Sequence, residues 1–148
     1  TGDIAISVAQ LVPPAELLVV TTPQQASAEV AERAGTIALQ THQQIAGVVE
    51  NMSYLPCPHC DERVEVFGSG GGQAVADGLS RSVGAAVPLL GQVPLDLRLR
   101  EGGDTGRPLV LDDPAAPAAR ALQEVADRLG TRARGLAGRM LDLSPAGR

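Results

Sequence analysis

Cys57-Pro58-His59-Cys60 sets two thiols two residues apart, and they are the only cysteines in the chain. Thiolates at that spacing grip one metal ion or two edges of an iron–sulfur cluster, yet they supply half of a tetrahedral site. A four-thiolate site therefore requires a second copy of the chain, which a two-fold dimer supplies by setting the same loop against itself. His59 is a further candidate ligand and Asp61 a bystander. CPHC also serves thioredoxin-like disulfide oxidoreductases, whose first Cys stands at a helix N-terminus that lowers its pKa. Leu55-Pro56 before the pair and the charged, alternating, then glycine-rich DERVEVFGSGGG after it carry no helical stripe. On spacing alone, metal or cluster binding, dithiol redox chemistry and two reduced surface thiols without a role all stay open.

Gly68-Ser69-Gly70-Gly71-Gly72 invites a phosphate-loop reading, but such a loop needs Lys then Ser/Thr where Gln73-Ala74 stand. The glycines are expected to form a flexible turn opening a short helix over 72–79, with anion binding at its N–H groups a minor alternative. Asn51 closes an apolar run. Its amide donates and accepts in one plane, as pairing with an adenine edge requires, although a terminal Asn also serves as a turn residue. Pro94-Leu95-Asp96 offers backbone groups to the same ring, or simply a loop and a helix capped by Asp96. Arg98, Arg100 and Arg107 read as solvated charges.

The elements that position these residues follow from the apolar pattern. Leu17 to Thr21 and residues 45–50 and 87–93 are nearly continuous apolar runs, the pattern of strands buried on both faces, with Gly91 interrupting the third. Thr22, Pro23 and Gln25 signal a helix start, and a helix over 23–41 carries Val30, Ala34, Ile37 and Ala38 on one stripe. Asp113 and Pro114 open a last helix bearing Leu122, Val125, Ala126 and Leu129, with Gly130 as its stop. Strands alternating with helices predict an α/β fold, a parallel sheet covered on both sides in three layers. Ligands of such sheets sit beyond the carboxyl ends of the strands, which places Thr21–Thr22, Asn51 and Pro94–Asp96 on one rim, from which the 52–86 excursion also leaves.

Composition bounds the rest. The chain has 148 residues, enough for one domain that buries roughly 70% of its unfolded surface. All twelve basic residues are Arg, so chemistry that needs an ammonium group is excluded. A net charge of −5, with one Phe, one Tyr and no Trp, argues against nucleic acid as a partner. Apolar runs such as LLVV at 17–20 are too short to span a bilayer, and no basic-then-apolar leader opens the chain, so no membrane partner and a cytoplasmic location are expected. Asp3 stands as a cap ahead of Ile4, Val8, Leu11 and Val12, a helix entered from an upstream turn. Residues 1–130 are expected to form the domain and 131–148 a flexible tail.

Together, TGDIAISVAQLV, LLVVTTPQ, GVVENMSYLPCPHC, FGSGGGQAVAD and VPLDLRLREGGDTGRPLV resemble the Mrp-type iron–sulfur cluster carriers, in the family's order over about residues 1–111. Those proteins are P-loop ATPases related to the nitrogenase iron protein and to MinD. The resemblance implies a three-layer parallel-sheet P-loop NTPase fold, here its C-terminal part. It implies that Cys57 and Cys60 bind a labile [4Fe–4S] cluster shared by a homodimer through the CxxC loop. The cluster passes to apo iron–sulfur proteins under the control of ATP and Mg²⁺. It further implies that Asn51, Pro94, Leu95 and Asp96 contact the adenine, and that Thr1-Gly2-Asp3 ends a switch segment, with Asp3 its catalytic candidate.

The family's G-K-G-G-V-G-K-[ST] loop, with its lysine and Mg²⁺-binding hydroxyl, is expected upstream of Thr1. Without those groups the 148 residues alone are expected not to hydrolyse ATP, since phosphoryl transfer is mainly positioning and charge stabilisation by them. The chain is then expected to be a delimited fragment or part of a larger assembly, with apolar strand faces and an edge exposed. The rival readings are a thiol–disulfide oxidoreductase with Cys57 as nucleophile and Cys60 as resolving thiol, a structural zinc clip, and a metal-free MinD-like positioning ATPase.

Overall fold

The computed structural model describes residues 7–8, 11–12, 15–41, 43–60 and 62–131. The expectations for Asp3, Ile4, Asp61 and the tail beyond Thr131 lie outside those residues. Three strands form a parallel sheet in the order β1 (Leu17–Thr21), β2 (Ile45–Asn51), β5 (Leu89–Val93). β1 connects to β2 through helix α1 (Gln25–Gln40). Between β2 and β5 the chain makes a small antiparallel ribbon, β3 (Leu55–Pro56) with β4 (Arg63–Val64), then α2 (Gly71–Val83). After β5 come α3 (Leu97–Thr105), the short α4 (Leu109–Asp112) and α5 (Pro117–Thr131).

β2 is central and buried over residues 46–50, as a strand covered on both faces must be. Successive side chains point to opposite faces, so Val48 joins Val19, Val75, Ala76, Leu79 and Val87 in one core. Val49 joins Leu90, Val93, Leu109 and Val125 in the other. Helices α1 and α2 thus lie on one face and α4 and α5 on the other, the three-layer α/β arrangement expected. Each fully buried valine contributes about 1.5–3 kcal/mol relative to leaving it in water. Gly91 has a packing reason, because a Cβ there would meet Val125 Cγ2 of α5 at 2.5 Å.

Several boundaries differ from the sequence reading. α1 begins at Gln25, two residues after the expected Pro23, with Gln24 as its cap residue. Of the expected stripe, Ala38 is buried and Ile37 half-buried, and the side chains of Val30 and Ala34 lie outside those described. The third strand starts at Leu89 rather than at 87. α5 begins at Pro117 rather than at Asp113, whose carboxylate instead accepts the Ala115 N–H in a turn. Proline at the first helical position loses no bond there. Gly130 does not stop α5, which includes Thr131, the residue expected to begin the tail.

Among the described residues β1 pairs only with β2. Its Val19 and Thr21 are buried, whereas Leu18 and Val20 on the opposite face are exposed, Val20 by 60%. The bare apolar face and open edge expected of the sheet are found here. Val8, Leu11 and Val12, expected as an apolar helix stripe, are exposed as well.

Candidate functional site

The register sets Thr21 beside Glu50 and Asn51 beside Val93, so the carboxyl ends of all three strands share one rim. Asn51 ends β2 at this rim, and Pro94, Leu95 and Asp96 follow β5 from it. Backbone bonds tie the chain leaving β2 to the chain leaving β5: Ser53 N–H donates to the Val93 carbonyl at 3.0 Å, and Leu95 N–H to that of Tyr54 at 2.8 Å. Asn51 Oδ1 accepts the Met52 N–H at 2.9 Å, closing a tight turn in which Met52 takes φ +54°. A left-handed methionine is uncommon, and the bonds on either side hold it there.

From this turn the chain enters the β3–β4 ribbon, with Leu55 opposite Val64 and Pro56 opposite Arg63. Cys57 N–H donates to the Glu62 carbonyl at 2.9 Å and closes the tip that carries Cys57 to Cys60. Neither cysteine is in a disulfide; Cys57 is half-buried and Cys60 exposed. The Arg63 guanidinium lies over the Tyr54 ring, 4.3 Å from its centre, a cation–π contact at the foot of the ribbon. Among the described residues no cluster of three or more His, Cys, Asp or Glu could hold a metal. Cys57 follows a strand and Cys60 ends a turn, and the next helix starts only at Gly71. The helix-start thiol that the oxidoreductase reading requires is therefore not found.

One residue of the region was missed in the sequence. Glu50 is 1% exposed, in an otherwise apolar strand. Its carboxylate accepts from Ser53 Oγ at 2.6 Å, from Gly72 N–H at 2.5 Å and from Gln92 Nε2 at 2.8 Å. A buried carboxylate needs such donors to offset its lost hydration. The signal was a lone acidic residue within IAGVVEN. Of the Gly68–Gly72 run, Gly68 and Gly70 take positive φ in the turn before the helix, while α2 runs over Gly71–Val83 rather than 72–79 and its first two glycines are buried. A Cβ on Gly72 would meet Glu50 Cβ at 2.7 Å, and one on Gly71 would overlap the Pro23 carbonyl. The Gly72 N–H that an anion would have used is taken by Glu50.

Asp96 caps α3, accepting the Arg98 N–H at 2.9 Å, and forms an ion pair with the Arg98 guanidinium, which also reaches Asp113. Asp96 is therefore engaged as a helix cap, and its loop offers the rim backbone groups instead. The hydrogen-bonded Arg98 guanidinium holds the Asp96 carboxyl below the usual 3.8, against a smaller opposing effect of burial. Because the folded value lies below the unfolded one, this stabilisation is present above about pH 3.8 and fades as pH falls through the folded value. Asp96→Ala is expected to cost about 1 kcal/mol near neutrality. Asp96→Asn keeps a cap but loses the acid dependence. Urea denaturation between pH 2 and pH 7 checks both.

No helix among the described residues is long and apolar enough to cross a membrane. The family profile described as ParA, NUBPL iron-transfer P-loop NTPase, matches residues 1–130. A Mycobacterium bovis protein named iron-sulfur cluster carrier protein is 63% identical over all 148 residues, which cover 39% of its length. The chain thus spans about two fifths of that curated relative. Among solved structures, the nucleotide-binding protein in complex with ADP from Archaeoglobus fulgidus is 33% identical with TM-score 0.56, over 76% of this chain and 42% of that one. The cell division protein MinD of Aquifex aeolicus, 21% identical with TM-score 0.57 over 80% of this chain and 44% of its own, shares the fold.

Proposed function

The chain belongs to the ParA/NUBPL iron-transfer P-loop NTPase family, and on that premise we propose that it is the cargo-holding, base-recognising part of an iron–sulfur cluster carrier. The observation that carries this is a pair of thiols on the tip of a short ribbon, bonded at its foot to the rim at the carboxyl ends of the strands. Cys57 and Cys60 of two copies meet across a two-fold axis and together bind one [4Fe–4S] cluster as cargo. Soft thiolate sulfur suits iron clusters, and two ligands per chain on an exposed tip leave the cluster open to capture by an apo iron–sulfur protein.

Asn51 reads the adenine edge with its amide, and Pro94, Leu95 and Asp96 line the base through their backbone. Asp3 belongs to the segment that senses the γ-phosphate and its Mg²⁺. These 148 residues contain no lysine, so the phosphate-binding ammonium comes from elsewhere in the whole protein. The location that fits this role is the cytoplasm. The zinc-clip and oxidoreductase readings predict no transfer of iron.

Transfer is the test. The cluster-loaded protein, mixed anaerobically with an apo [4Fe–4S] acceptor, is expected to convert the acceptor within minutes even with a chelator trapping free iron. Recovery of all iron by the chelator and none by the acceptor would sink the carrier reading.

A further inference from the structure

The excursion that carries the cysteines leaves β2 at Asn51 and returns at the N-terminus of α2, Gly71. Its two ends are joined by one side chain. Glu50 accepts from Ser53 Oγ on the outgoing limb and from the Gly72 N–H on the returning limb, at 2.6 and 2.5 Å. It also accepts from Gln92 on β5, the strand that runs into Pro94–Asp96. Ser53 is itself buried, and its own N–H is bonded to the Val93 carbonyl. Beyond these ties and the Leu95 N–H bond to the Tyr54 carbonyl the ribbon is largely exposed: its strands are two residues each, and Cys60, Val64 and Val66 face solvent. So short a ribbon has little stability of its own and takes its position from its feet.

We infer that Glu50 is the positioning residue for the Cys57–Cys60 tip: one buried carboxylate clamps both feet of the metal-binding excursion to the sheet. This rests on the reading of the two thiols as the cargo site. Ser53→Ala removes the hydroxyl's bond to Glu50, keeps the backbone bonds of Ser53 to Val93 and of Leu95 to Tyr54, and leaves the carboxylate with two donors, so it tests the clamp without leaving the carboxylate unpaired. Glu50→Gln keeps the shape but replaces one acceptor oxygen by a donor, so the Gly72 N–H or the Gln92 amide loses its partner.

The experiment is amide hydrogen exchange of the apo full chain over 55–64, beside iron release to a chelator from the loaded chain. Ser53→Ala is expected to speed exchange over 55–64 by about tenfold, and Glu50→Gln by more, with α5 unchanged. Iron release should quicken by about fivefold or more while iron uptake stays at the wild-type level. Val125→Ala, which loosens the opposite core, lowers the melting temperature without moving either rate and so separates positioning from general destabilisation. Wild-type exchange over 55–64 in both Ser53→Ala and Glu50→Gln would overturn the clamp. Faster exchange in a protein whose wild type takes up no iron would support the clamp and overturn the cargo reading.

Discussion

Cys57→Ser or Cys60→Ser is expected to abolish cluster binding while leaving the fold intact. In a two-fold dimer each substitution removes two of the four thiolates at once, because both copies carry it. A serine hydroxyl is a hard oxygen donor that stays protonated near neutrality, so it does not replace a thiolate on iron. The fold loses little. Cys60 is exposed, Cys57 is half-buried, and the bond that closes the tip is made by the Cys57 backbone N–H, which serine retains. Substitutions at such sites usually stay within about 0.5 kcal/mol. Thermal melting of the apo forms should therefore coincide with wild type, while visible absorbance and bound iron fall to background. A Ser variant that retains half its iron would show that the two thiols are not joint ligands of one site.

The second large effect concerns two glycines in helices, for which opposite signs are expected. Gly72→Ala puts a Cβ 2.7 Å from Glu50 Cβ, 3.0 Å from Glu50 Oε2 and 3.1 Å from Leu89 Cδ1. The first of these contacts is with an atom fixed to the β2 backbone, so α2 must shift as a body. That shift lengthens the Gly72 N–H bond to Glu50. Overpacking of this kind costs about 1–3 kcal/mol, against which the better helix propensity of alanine returns up to about 1 kcal/mol. Gly103, inside α3, has nothing within 4 Å of its Cβ position. Gly103→Ala is therefore expected to stabilise by up to about 1 kcal/mol. Urea midpoints at constant slope measure both changes. Equal effects at the two sites would contradict the close seating of α2 on Glu50.

That seating was not legible in the sequence, and the reason is distance along the chain. The strands were readable because a strand covered on both faces is an unbroken apolar run, as LLVVT and IAGVVEN show. Once the strands were placed, the parallel-sheet rule put Asn51 and Pro94–Asp96 on one rim without any knowledge of side chains. The Cys57–Cys60 pair was legible because both partners sit within one turn.

Glu50, by contrast, finds its donors 3, 22 and 42 residues away. A lone glutamate near a strand end looks like any polar terminus, and the glycine run looks like a flexible loop until α2 is seen packed on the strand. The last helix start was misplaced for a related reason. Asp113 has a cap-type side chain, but α5 begins only at Pro117. Asp113 serves a preceding turn instead.

Whether the Cys57–Cys60 tip is half of a shared cluster site is decided by anaerobic reconstitution followed by gel filtration, with iron, sulfide and zinc counted per chain in each peak. The expected result is a brown dimer holding about two irons and two sulfides per chain, one four-iron cluster between two copies, with broad absorbance at about 400 nm. A colourless dimer with about half a zinc per chain, or a protein that binds neither metal, would contradict it.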